Sequence, residues 1–147
     1  MFQPGEIEVS DVYHLPIIKA FADRIDLVNI INRLVPSNME IDPGTLVLAM
    51  VLDVLSGRHP LYRIDSFYKS KDIELLLGQP LDAEKLTDDN FGRTLGLLYA
   101  ANTTQVFSAI AMNALGTFQV PTQHIHFDTT SVTVYGAYEP SDPNSPL

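Results

Sequence analysis

The sequence predicts a mainly α protein: a compact multi-helix domain over residues 15–118, followed by a β-hairpin over residues 123–138. Three observations predict it. Apolar residues recur at three- and four-residue spacing through most of the chain, the period of one helix face. Capping and breaking residues cut this pattern into short pieces, as expected of helices joined by short loops. From His124 onward the period changes to two. Ile125 and Phe127 then fall on one face and His124, His126 and Asp128 on the other, the alternation of a strand.

Residues 1–14 carry acids, Pro and Gly without periodicity and form a lead-in. Two short helices are expected between Leu15 and Val35. Ile17, Ile18, Phe21 and Ile25 make the stripe of the first; Leu27, Val28, Ile30, Ile31 and Leu34 make that of the second, and Pro36 ends the run. Asp42-Pro43 is a helix start, with Asp as N-cap and Pro at the first helical position. The helix it opens, Thr45 to Leu55, is apolar nearly all round and should be the buried centre, with Gly57 as its stop. Arg58-His59-Pro60 turns into a helix from Leu61 to Lys69 that directs Leu61, Ile64 and Phe67 inward.

Ile73 to Leu77 is a short apolar helix closed by Gly78-Gln79-Pro80. Thr87 or Asp88 caps the next, in which Phe91, Leu95 and Leu98 face inward. Asp88-Asp89-Asn90 reads there as cap and dipole partner rather than as a metal cluster. Thr103 caps the last helix, with Val106, Phe107, Ile110, Ala111, Ala114 and Leu115 in register and Gly116 as its stop. Val132 and Val134 continue the hairpin after a polar turn. Residues 139–147, without periodicity, are expected to be a disordered tail.

A chain of 147 residues with 46% apolar side chains can bury a real core as one folded unit. It has no cysteine, hence no disulfide and no thiolate metal site, which fits a reducing cytosol. Its start lacks the pattern of a signal peptide, and its longest apolar run, Leu46 to Leu52, is far below the ~20 residues of a membrane span. A cytoplasmic protein with no membrane partner is therefore expected.

The net charge of −9 argues against strong non-specific nucleic-acid binding by the chain as a whole, because such binding rests on neutralising phosphates. The charge is uneven, however. Arg58, Arg63, Lys69 and Lys71, four of nine basic residues, stand within 14 positions, and none follows Arg93. These four, with His59, are the candidates for contact with DNA phosphates; an ordinary solvated helix face is the competing reading. From Thr94 to Phe127 there is no Asp, Glu, Lys or Arg, as expected of core plus a face that a sheet would cover.

Asp128 ends the first strand beside Thr129, Thr130 and Ser131. Two readings follow from the residues: a turn former that accepts local backbone hydrogen bonds, or a carboxylate ligand to a divalent metal completed by further oxygen ligands. His124 and His126 as a zinc or iron pair form a weaker reading, since His14 and His59 lie far back in sequence.

The string His126-Phe127-Asp128-Thr129-Thr130-Ser131, followed by Tyr135-Gly136-Ala137-Tyr138, resembles the first catalytic strand of DDE insertion-sequence transposases. The likeness extends upstream through Leu15-Pro16, Leu34-Val35-Pro36, Pro43-Gly44, Pro60-Leu61-Tyr62-Arg63, and Asp88-Asp89 ahead of Gly92-Arg93. This series is similar to the short N-terminal domain, of unassigned function, that precedes the catalytic core in one group of these enzymes.

The resemblance implies that the hairpin begins an RNase H-like α/β core. In such a core three acids hold two divalent metals, Mg²⁺ or Mn²⁺, for in-line attack on a phosphodiester. Asp128 matches the first of these acids, as catalytic residue and as metal ligand, and the second Asp and the final Glu belong further downstream. The chain is thus expected to be a truncated front part of such an enzyme. It would contribute to transposon-end DNA binding or assembly, and alone would bind no metal tightly and cut no DNA. Self-association through the unpaired hairpin edge, or local disorder near the C-terminus, is also expected. A reading from another class is a non-enzymatic helical module for protein interaction or dimerisation, with the hairpin as a cap; a third is a small His/Asp metal hydrolase.

Overall fold

The computed structural model describes residues 9–123. These form seven α-helices and no strand: α1 (Leu15–Arg24), α2 (Leu27–Leu34), α3 (Pro43–Val54), α4 (Ile64–Tyr68), α5 (Ile73–Leu77), α6 (Asp88–Ala100) and α7 (Thr103–Thr117). Single 3₁₀ turns, Leu61–Arg63 and Ala83–Lys85, precede α4 and α6. The mainly α class expected from the sequence is what this part of the chain shows. The hairpin of residues 123–138 and the tail lie outside the described residues but for Gln123. No described helix is long and apolar enough to cross a membrane.

Helix α3 is the centre, as its all-round apolar surface requires. Leu46, Leu48, Ala49 and Leu52 are fully buried, enclosed by Leu15, Ile31, Ile64, Leu76, Leu86 and Phe91 from the surrounding elements. Its start is held by a network across α2 and α3. The Asp42 carboxylate accepts from the Thr45 N–H at 2.8 Å, the Thr45 hydroxyl at 2.9 Å and the Asn32 amide at 2.6 Å. Asn32 in turn accepts from the Gly44 N–H at 2.7 Å.

Burial by itself raises the Asp42 carboxyl pKa, but the hydrogen bonds from Thr45 and Asn32 outweigh it and hold the group below the usual carboxylate range. A group with a depressed folded pKa stabilises above its unfolded value, ~4 for Asp, and loses that contribution as pH falls through the lower folded value. Asp42→Ala should therefore cost about 1 kcal/mol near neutrality, with the gap to the parent chain closing below pH ~4. Urea unfolding of both proteins across that range checks this; a gap of equal size at acid and neutral pH would remove the carboxylate charge from the account.

Helices α1 and α2 are divided at Asp26, whose left-handed backbone (φ 55°) breaks the run. Helix α7 packs on α2 and α6, and the Asn113 amide donates to the Ile25 carbonyl at 2.7 Å. At its far end the Arg24 guanidinium lies 4.6 Å from the Phe118 ring centroid and 5.9 Å from that of Phe21, so two aromatic rings and one cation join the ends of α1 and α7.

Several expectations need correction. The stretch Leu61 to Lys69 is a 3₁₀ turn plus a five-residue helix, and its deepest side chain is Tyr68 beside Ile64, with Leu61 and Phe67 only half-buried. Tyr68 can be buried because its hydroxyl donates to the Ala49 carbonyl at 3.0 Å; burial, and then the charge of Asp53, push its pKa well above the usual phenol range. Thr87 is the cap of α6, accepting from the Asn90 N–H. The inner face of that helix is Phe91 and Thr94, while Leu95 is 44% exposed. Thr94 replaces it because its hydroxyl is satisfied within the helix by the Asn90 carbonyl at 2.9 Å.

Helix α7 is capped by Asn102, which accepts from the N–H groups of Thr104 and Gln105, rather than by Thr103. Val106 is its buried anchor; Phe107 and Leu115 point outward. Nor does Gly116 stop it. The Val120 N–H reaches the Leu115 carbonyl, the Gln119 N–H reaches that of Gly116, and Gln119 takes the left-handed conformation (φ 51°). That is a Schellman ending with Gln in the place Gly usually holds.

Candidate functional site

Helix α3 carries one charged side chain, Asp53, and the turn after the helix is built on it. Its backbone carbonyl accepts from the N–H groups of Ser56, Gly57 and Arg58 at 3.0, 2.9 and 2.9 Å. Its carboxylate, only 2% exposed, accepts from the His59 backbone N–H at 2.9 Å and from His59 Nδ1 at 2.6 Å. A carboxylate only accepts, so the imidazole proton is assigned to Nδ1, and Nε2 takes no part in this contact.

The imidazole covers Gly57, where a Cβ would stand 2.7 Å from His59 Nδ1 and closer still to Cε1. Gly57 is thus required by the ring beside it. The left-handed residue of this turn is Arg58 (φ 54°), not Gly57 as the stop-signal reading implied. A non-glycine residue in that region persists only where surrounding contacts over-determine it, and Asp53 supplies them here.

Three segments meet around this turn. The His59 ring lies 5.2 Å from that of Phe67 in α4, and the Lys71 ammonium lies 5.1 Å from the Phe67 centroid and 5.6 Å from that of Tyr13. His14 Nε2 bonds the Leu55 carbonyl at 3.0 Å, and the Asp11 N–H bonds the Ser70 carbonyl at 2.9 Å, which seats the lead-in against both. The structure therefore brings His59 and Lys71 to one patch around Phe67, with Tyr13 exposed at its edge, while Arg58, the chain neighbour of His59, is exposed.

The other two basic candidates are placed differently. Arg63 lies over the exposed Tyr62 ring at 5.6 Å. Lys69 pairs with Asp65 at 3.6 Å. Lys69 and Lys71 also line a groove that holds four carboxylates, those of Asp72, Glu74, Asp82 and Glu84. Two lysines among four acids leave that groove unsuited to a phosphate, whereas the Phe67 patch has its buried acid, Asp53, already engaged with His59.

Sequence reasoning missed Asp53 and Tyr13. A signal for Asp53 was present: a lone carboxylate in an otherwise uncharged, all-round apolar helix must be buried with a partner. Asp128 lies outside the described residues, and so do His124 and His126. Among the described residues no three His, Asp or Glu side chains come close enough together to hold a metal ion.

A family described as Domain of unknown function (DUF4277) matches residues 7–112. The chain belongs to the DUF4277 family. The match begins in the lead-in and runs into the middle of α7, so the DUF4277 region contains Asp53, His59 and all four basic candidates, and ends before Asp128. No curated protein and no solved structure gives a match.

Proposed function

We propose that this chain is the front part of a DDE transposase. In this reading its DUF4277 domain contributes to holding transposon-end DNA or assembling the complex, and Asp128 supplies the first catalytic carboxylate. The observation that carries the reading is the string His126-Phe127-Asp128-Thr129-Thr130-Ser131, which follows shortly after the matched helical region. The patch around Phe67 supports the DNA part, since the Lys71 ammonium beside that ring and the exposed Arg58 guanidinium, nearby in the chain, are donors suited to one or two phosphates. Bound Mg²⁺ or Mn²⁺ would activate the attacking oxygen in the complete enzyme, and Asp128 is the residue of this chain that would help hold it. The part of the helical domain is binding and positioning.

Binding is tested with a duplex carrying the ends of the element that encodes the chain, followed by anisotropy between about 50 and about 200 mM salt. A slope of about −1 to −2 in log–log form is expected for one or two phosphate contacts. Arg58→Glu with Lys71→Glu should weaken binding by roughly tenfold or more with the helical fold retained. Unchanged affinity would overturn the DNA part. For the catalytic part, the reading frame expressed together with its downstream coding region should cleave those ends with Mn²⁺ and lose that activity in Asp128→Ala; the 147-residue chain alone should not cleave. Cleavage that survives Asp128→Ala would overturn the assignment of Asp128.

A further inference from the structure

We infer that the outer face of α7 is the contact surface of a homodimer, formed by two copies of this helix packed antiparallel about Ala111. The inference stands whether or not the domain meets DNA. Phe107 and Met112 are 71% and 73% exposed, and Leu115 also faces solvent. A folded monomer seldom leaves such a run of large apolar side chains uncovered.

The charge pattern selects the occupant. Each copy carries −9, so two copies repel unless they meet where neither has charge. Among the described helices α7 alone has no Asp, Glu, Lys or Arg. A membrane surface would call for basic residues flanking the face, and none follows Arg93.

The spacing of the side chains is self-complementary. Phe107, Ala111 and Leu115 stand four residues apart and form one ridge along the helix. Ala111 lies midway between the two large residues. A two-fold contact matches residue i with j and j with i, so an antiparallel crossing centred on Ala111 sets Phe107 of each copy against Leu115 of the other. The small side chain at the centre lets the two backbones approach, and Met112, next to the ridge, extends the contact.

The chain has no cysteine, which makes the test direct. Sedimentation between about 1 and about 100 µM should show a monomer–dimer equilibrium. Ala111→Cys should give a disulfide-linked dimer under mild oxidation, because a residue at a two-fold axis meets its own copy. Ala111→Glu, which sets two carboxylates against each other at the axis, should weaken dimerisation by at least about tenfold with helicity retained. Phe107→Gln, at an exposed position, should weaken it as well and serves if Ala111→Glu alters the fold.

A chain that is monomeric throughout that range overturns the second copy as occupant. A dimer unmoved by both Ala111→Glu and Phe107→Gln, with no cross-link in Ala111→Cys, overturns α7 as the surface.

Discussion

Gly44→Ala is expected to destabilise the domain by about 3 kcal/mol, with no change in any residue that touches a ligand. A Cβ at position 44 would overlap the Val28 carbonyl oxygen and stand 2.9 Å from Val28 Cα and 2.8 Å from Asn32 Oδ1. Two of these three obstacles are backbone, so relief demands that α2 move away from α3 rather than that one side chain rotate. Such a shift would also break the Asn32–Gly44 and Asn32–Asp42 hydrogen bonds that cap the central helix. Urea unfolding should show a lower midpoint at an unchanged slope. A loss under about 0.5 kcal/mol, the range of ordinary surface changes, would mean that the two helices can separate at little cost.

His59→Ala should cost about 3 kcal/mol, more than its half-exposed side chain suggests. The cost arises at Asp53, which keeps one backbone N–H but is left a buried carboxylate without its imidazole partner. A second substitution isolates this cause. In the His59→Ala background, Asp53→Asn should be neutral or stabilising, because a buried amide is less costly than an unpaired charge; in the parent chain the same change should destabilise. Opposite signs in the two backgrounds are the expected outcome of a double-mutant cycle. Equal costs in both would show that the two side chains act independently.

The parts of the fold legible in the sequence were those fixed by local chemistry. Asp42-Pro43 gave both the cap and the first turn of α3, and Gly78, the left-handed glycine (φ 77°), marked the end of α5. The facing of α6 and α7 was not legible. Helix α7 has apolar or small residues on most of its circumference, so periodicity could not choose between Val106 and Phe107 as the anchor. In α6 a threonine occupies a core position, because its hydroxyl bonds back to the helix and leaves a methyl to pack. The end of α3 was misread for a related reason: Gly57 has the composition of a helix stop, but its role is to make room for a ring positioned from within the helix by Asp53. Of the four basic candidates, the sequence supplied their clustering along the chain. It could not supply the acids folded against Lys69 from the segment before α6.

The junction of Arg24, Phe21 and Phe118 has a mechanical consequence. A helix end in solvent works as a swivel, and whatever follows it inherits no bearing. Phe118 is instead gripped against α1, and the Schellman turn at Gln119 and Val120 sets the direction in which the backbone departs. A torque applied to the chain beyond this turn is therefore delivered to α1, and through the Asn113–Ile25 hydrogen bond to the corner between α1 and α2. Releasing the grip, as Arg24→Ala would, converts a stiff joint into a loose one for about 1 kcal/mol while leaving the core intact.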